Sequence, residues 1–302
     1  MEIFLQQLVN GLSLGAIYAL IALGYTLVYG VLRFINFAHG DVLMIGSYAG
    51  FYIALELSQQ LGATISYQIA FLMLMGSMLV CAGIGVLIEL LAYRPLRNHP
   101  KLTVLITSIG VSLLLSYGGQ ILFGAQPRPF PELIHASQLH ITKNLTISSS
   151  HLIVLLVTAV ILLALRFIVM KTRFGMAVRA LSMNPQAASL MGVNPNAVIS
   201  WTFALGSALA GAAGILYSMT IQSIEPLMGT MPGIKAFIAA VLGGIGSIPG
   251  AALGGVLMGL VETFVGGSSF SSYRDAIAFG LLILILLLKP AGLLGKAQAE
   301  KV

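Results

Sequence analysis

Charge is what this chain has least of. Only 8% of its 302 residues are Asp, Glu, Lys or Arg, while 58% are hydrophobic. A soluble fold cannot hide that much apolar surface. There is one cysteine, Cys81, inside an apolar run. That excludes a disulfide framework within the chain and any cysteine-based metal site. No phosphate-binding loop is present either. The string Gly295-Lys296-Ala297 lacks the upstream glycine and the Ser/Thr that such a loop needs. If ATP drives this protein, another subunit binds it, and no cofactor is expected on this chain. The opening MEIFLQQLVNGLSLG has no basic n-region, and its apolar run continues to about Gly30. That is too long for a cleaved signal, so the first helix is expected to stay.

What is present is a series of apolar runs of about 20 residues, each enough to cross a bilayer core. They fall near 8–30, 37–56, 69–91, 104–123, 151–170, 197–219, a broken pair at 233–246 and 250–265, and 273–289. The expected fold is all-α: a polytopic helical membrane protein, one domain over 1–302, with about eight transmembrane segments. The 34 glycines suit close helix packing in lipid. Pairs such as Gly11/Gly15, Gly46/Gly50, Gly206/Ala210/Gly214, Gly250/Gly254 and Gly255/Gly259 read as ordinary packing faces. The net charge of +6 is assigned to loops that set topology, with no nucleic-acid partner.

Basic residues decide the orientation. Arg94, Arg97 and Lys101 share one loop; Lys171, Arg173 and Arg179 share another; Lys289, Lys296 and Lys301 lie at the C-terminus. Loop 124–150 has only Arg128 and Lys143, and 220–232 has no basic residue. The positive-inside rule then puts 92–102, 171–196, the loop around Arg33 and the C-terminus in the cytoplasm. It puts 124–150, 220–232 and the N-terminus outside. The tail reaches the cytoplasm only if 233–265 goes in and returns. The string GGIGSIPG (Gly243 to Gly250) supplies the break. Whether the arms cross fully or form a re-entrant hairpin stays open. Irregular backbone at membrane depth is tolerated only in protein or along a wet cavity. Gly243, Gly244 and Gly246 are therefore candidates for a translocation path. Span 8–30 followed by Phe34 to Gly50 faintly echoes span 197–219 followed by 231–250. Interrupted segments in matching positions of two halves point to a transporter's path.

The longest polar break in the second half is KTRFGMAVRALSMNPQAASLMGVNPN, Lys171 to Asn196. Phe174, Ala177, Val178 and Leu181 follow the i, i+3, i+4, i+7 spacing of one helix face. Asn184-Pro185 restarts a helix as N-cap and first position, and Gly192 stops it. Asn194-Pro195 caps a third helix. A polar loop with this much local order is expected to meet a partner.

Few polar residues lie near the apolar spans. Asn36, His39 and Asp41 open span two, where charge is costly and faces a partner or a cavity. His39 and Asp41 invite an enzymatic reading, but residues i and i+2 on a helix face apart, and no nucleophile or third ligand accompanies them. They are read as hydrogen-bonded structural groups near the cytoplasmic end, with a place in the passage as the alternative. Glu89 and Glu56 read as interfacial carboxylates. Glu262 is expected near the outer mouth, either contacting a substrate amine or pairing with Arg274 or Lys235. The two Asn-Pro pairs sit in a single loop, which rejects a water-channel reading. Asn144-Leu145-Thr146 is a formal glycosylation sequon without a supporting context.

Four stretches together carry a resemblance: Gly11 to Val31, INFAHGDVLMIGSY (Ile35 to Tyr48), RALSMNPQAASLMGV (Arg179 to Val193) and Gly233 to Gly255 with its GGIGSIPGA. They resemble the LivH-type permease of the branched-chain amino-acid ABC importer, over about residues 5–295. Such permeases carry a cytoplasmic EAA-x3-G loop whose short coupling helix sits in a groove of the ATPase. Gln186-Ala187-Ala188-Ser189-Leu190-Met191-Gly192 is similar to it, with Gln186 in place of Glu and without the downstream I-x-L-P. The resemblance implies ATPase docking by Asn184, Gln186, Ala187, Ala188, Ser189 and Gly192. The residues themselves, apart from the resemblance, offer Asn36, His39, Asp41, the three glycines and Glu262 as a possible translocation path. The resemblance also implies a homologous second permease, two ATP-binding subunits that use the ATP, a periplasmic binding protein and a bacterial inner membrane with its lipid. Leucine, isoleucine or valine would be the cargo, and the chain itself no enzyme. A related permease for urea, short amides or other amino acids is the near alternative. An intramembrane enzyme and a stand-alone channel or carrier are the distant ones.

Overall fold

The computed structural model describes residues 2–61, 67–97, 99–131, 138–142, 145–289 and 291–295. Lys143, Asn144, Lys296 and Lys301 lie outside the described residues. The chain runs α1 (Glu2–Leu32), α2 (His39–Leu61), α3 (Tyr67–Ile88), α4 (Lys101–Phe123), α5 (Ser149–Lys171), α6 (Arg173–Met183), α7 (Pro185–Leu190), α8 (Pro195–Ile221), α9 (Thr230–Gly243), α10 (Ile248–Gly266) and α11 (Arg274–Leu288). Among the described residues, 7 helical stretches are long and apolar enough to cross a membrane. The stretch α2 is as long as these but carries polar groups, and α9 has only 14 residues. Every apolar run expected from the sequence is a helix.

Sequence also sorts the helices by depth in the bundle. The central α1 and α8 are buried on nearly every side. The α4 helix buries only Val104, Ser108, Ser116 and Gly119, one narrow face. Its Leu114, Ile121 and Leu122 point outward, as do Leu156 and Leu163 of α5 and Leu287 of α11. Helices that are apolar all round but buried on one side only have their other side in lipid.

The small-residue pairs find one another. On α1, Gly11 and Gly15 pack against Gly259, Leu260 and Val256 of antiparallel α10; a Cβ on Gly15 would lie 2.7 Å from the Val256 Cα. Gly46 of α2 meets Gly211 of α8 with a similar gap of 2.7 Å. No apolar driving force separates helix from lipid here, so this close backbone approach is what holds the pairs.

The bundle has two ends. At one, Arg94 donates to Ser200, Arg97 to Asn196 and Arg33 to the Ser182 carbonyl, so the basic loops meet. The C-terminal segment joins them: the Leu293 and Leu294 amides bond the carbonyls of Leu242 and Gly243. At the other end the start of α1 meets the loop after α4, where Thr146 N donates to Gln6. Small strands lie in the loops: β1 (Arg128–Pro129) pairs with β4 (Ser223–Ile224), and β2 (Gln138–Thr142) with β3 (Leu145–Ser148), both antiparallel.

Two helices start deep inside. Residues 33–38 fold back along α1, so that His39, the first residue of α2, packs on Gly24, about two turns before the end of α1. After α8, the chain turns at Gln222, in the left-handed region at φ 59. It then returns inward to Gly229, which packs on Gly40; a Cβ on Gly40 would lie 2.6 Å from the Gly229 carbonyl oxygen. The starts of α2 and α9 therefore abut, and the faint echo in the sequence has a physical counterpart. The Gly/Pro turn is a different matter. The antiparallel pairing of α1 with α10 carries residues 244–247 to the basic end, not to mid-depth. The deep interruptions are 33–38 and 222–229.

Candidate functional site

The polar break after α5 folds as its caps dictate. Thr172 accepts from Gly175 N to start α6, whose Val178 and Leu181 are buried and whose Phe174 and Ala177 pack beside them. Asn184 accepts from Ala187 N at 3.0 Å, with Pro185 in the first turn of α7. At its other end Gly192 takes φ +86, its amide bonds Ser189 O, and Val193 N bonds Ala188 O. This doubly bonded stop leaves few free carbonyls and fixes a six-residue helix that would not persist alone. Asn194 then caps α8 by accepting from Asn196 N and Ala197 N.

The exposed face of α7 is not the one read from sequence. Ala188 is 5% exposed and sits in the core, so it seats the helix and presents nothing outward. Gln186, Ala187, Ser189 and Gly192 are exposed. Beside them Met183, Leu190 and Met191 stand 83%, 87% and 85% exposed. Those three were missed. Their signal was an apolar residue at each edge of a polar, capped loop.

The Asn36–Asp41 group is buried and satisfied in parts. Tyr93 Oη donates to Asn36 Oδ1 at 2.6 Å, and Ser116 Oγ donates to Asp41 Oδ1 at 2.5 Å. Asp41 also lies in the first turn of α2, where the helix dipole favours a carboxylate. The His39 ring stands edge-on to Tyr25 with centroids 4.7 Å apart. These three residues are brought to one region, but each meets a different helix, and the buried His39 Nε2 has no hydrogen-bond partner among the described residues. Among the described residues no cluster of metal-ligating side chains is formed.

Glu262 gathers the ionic residues. Its carboxylate accepts from Lys235 Nζ and from Tyr18 Oη, each at 2.7 Å, with Arg274 Nε at 3.5 Å. Asp275 lies 2.8 Å from Lys235. Lys235 and Glu262 are buried, while Arg274 and Asp275 meet them from the half-exposed start of α11, so the pairing with Lys235 and Arg274 is present. Glu89 is a correction. It is 0% exposed and no interfacial carboxylate. It accepts from Arg94, Arg97 and Ser200 and ties α3 to α8. It continues the buried face that Ile69, Met73, Ser77, Cys81 and Gly85 set at every fourth residue of α3, and the π-helical turn Glu89–Tyr93 then brings Arg94, at i+5, beside it.

Of the three glycines, Gly243 is closed against Gly250 and Gly244 against Gly295. Neither borders open space. Gly246, at φ +91, lines a cavity of about 560 Å³ at the basic end.

The profile of the family described as "Branched-chain amino acid transport system / permease component" matches residues 7–286. The high-affinity branched-chain amino acid transport system permease protein BraD of Pseudomonas aeruginosa is 42% identical, over 99% of this chain and 98% of its own. The corresponding protein LivH of Escherichia coli K12 is 41% identical over the same shares. A probable branched-chain amino acid transport permease protein LivH of Methanocaldococcus jannaschii is 30% identical over 91% of this chain and 88% of its own. No solved structure matches.

Proposed function

The chain belongs to the family of branched-chain amino acid transport system permease components, and from that premise we propose that it forms half of the translocation path of an ATP-binding-cassette importer for leucine, isoleucine and valine. Its complex contains a homologous second permease, two ATP-binding subunits and a periplasmic substrate-binding protein, in a bacterial inner membrane. The basic end faces the cytoplasm, with the C-terminus there and the N-terminus outside. Supporting this is the clustering of Arg33, Arg94, Arg97 and Arg179 at one end of the bundle.

The observation that carries the coupling role is α7. It is a short helix stopped firmly at both ends, seated on the core through Ala188, with Leu190 and Met191 exposed at that same end. Apolar side chains in a polar loop fit a partner's groove. We place the ATPase contact on Gln186, Ala187, Ser189, Leu190 and Met191, with Asn184 and Gly192 holding the helix rigid. ATP binding draws the ATPases together and moves α7. The movement passes through α6 to α1, by Arg33 on the Ser182 carbonyl, and through Asn194 to α8. These two central helices carry the deep starts of α2 and α9, which mark the path. Asn36, His39 and Asp41 border it, and Glu262 with Lys235 closes its far side.

Purification of the tagged chain from bacterial membranes tests this reading. Two ATP-binding subunits and a second permease are expected to accompany it. Recovery without any ATP-binding subunit contradicts it.

A further inference from the structure

The cavity of about 560 Å³ at the basic end has a chemical character that the coupling role does not require. It lies between the last turns of α1, the α5–α6 elbow and the first turn of α10. Arg33 and Arg179 both line it. Arg33 donates to the Ser182 carbonyl and Arg179 to the Val169 carbonyl. Among the described residues neither has a carboxylate partner, and no acidic residue lines the cavity. The 19-residue α10 points its N-terminus at the same space through Ser247 and Ile248. A helix start and two cations favour an anion.

A second, independent observation points to a ligand. Thr26, on α1, lines the cavity, is 2% exposed, and its hydroxyl has no hydrogen-bond partner. Thr107, Thr202 and Thr220 each donate to the carbonyl four residues back on their helices. Thr26 does not. A buried hydroxyl left unpaired is costly unless something visits it. Arg33 adds strain at the mouth: it holds φ +55, where glycine ordinarily stands after a helix end. Strain of this kind collects where a side chain is held in place for a purpose.

The remaining wall is apolar, with Leu27, Val178 and Ile248 among its residues. An anion-binding corner beside a branched-aliphatic wall matches one ligand class. We propose that this cavity takes the carboxylate of a branched-chain amino acid on its way out to the cytoplasm. The inference rests on the permease reading and deepens it. With no acidic group for the ammonium, the site holds its ligand weakly, which suits release.

The test uses the full transporter complex in nanodiscs, with Ser182→Cys as reporter, since Ser182 lines the cavity and Cys81 is buried. L-leucine is expected to slow maleimide labelling of this cysteine, and L-leucinamide, which lacks the carboxylate, is not. Thr26→Val keeps the side-chain shape and removes the hydroxyl. It should fold as the parent does and need about tenfold more leucine for the same protection, the loss of one hydrogen bond to a charged group. Arg179→Gln should weaken protection further. Equal protection by leucinamide, or none of these shifts, overturns the proposal. So does protection that follows phosphatidylglycerol content and ignores leucine, which would make the cavity a lipid site. ATP-driven leucine uptake by the same complex reconstituted into sealed proteoliposomes separates the two failures. Uptake without protection defeats only this inference, and absence of uptake in the parent defeats the permease reading.

Discussion

Replacing Leu190 and Met191 together by serine isolates the proposed ATPase contact. The two side chains are 87% and 85% exposed and make little contact within the chain. Exposed changes away from caps and cores alter stability by about 0.5 kcal/mol or less. Full burial of each against a partner is worth about 1.5–3 kcal/mol. The pair could therefore supply about 3–6 kcal/mol of gross docking energy by the same area rule. Ordering and imperfect fit take part of that. At about 1.4 kcal/mol per factor of ten, a loss of roughly tenfold to a hundredfold in affinity for the ATP-binding subunits is expected. The assay is titration of purified ATP-binding subunits onto the permease pair in nanodiscs, beside a thermal melt of the permease alone. An unchanged affinity with an unchanged melt refutes the placement of the contact. Ala188→Arg would not serve, because Ala188 is buried and a charge there attacks the fold itself.

Gly192→Glu forces a side chain into the left-handed region at φ +86, at a cost of about 1–2 kcal/mol, although a Cβ there meets nothing within 4 Å. Transport should fall while the amount of chain in the membrane holds; undiminished ATP-driven uptake removes the rigid-helix argument. Lys235→Met and Glu262→Gln should each destabilise the chain, and the double variant should recover part of the loss, with a coupling of about 1–3 kcal/mol in thermal or denaturant unfolding. Additive losses contradict a paired role, and a stable double variant without uptake assigns Glu262 to the cargo.

The helices were legible because long apolar runs and local caps decide them. Asn184, Pro185, Gly192 and Asn194 act as read, since a cap depends only on neighbours in sequence. The Gly11/Gly15 and Gly255/Gly259 pairs were visible too, but not that they pack on each other, which is a long-range choice. The deep starts of α2 and α9 left only a faint trace, because residues 33–38 and 222–229 carry little that distinguishes a deep loop from a surface one. The burial of Glu89 follows the every-fourth-residue face of Ile69, Met73, Ser77, Cys81 and Gly85, but the π turn that brings Arg94 to it has no mark in the helical periodicity. The exposure of α7 was legible as a loop but not by side, since a six-residue helix is too short for its face to be read from spacing. The abutting starts at Gly40 and Gly229 are a long-range contact that spacing alone does not announce.

The central claim is that this chain moves branched-chain amino acids only as part of an ATP-driven assembly. Uptake of labelled leucine into proteoliposomes tests it most directly, with this chain alone and with the full set of subunits. The account predicts no accumulation by the chain alone, and accumulation by the assembly that requires ATP and the substrate-binding protein. Leucine uptake by the solitary chain would contradict it.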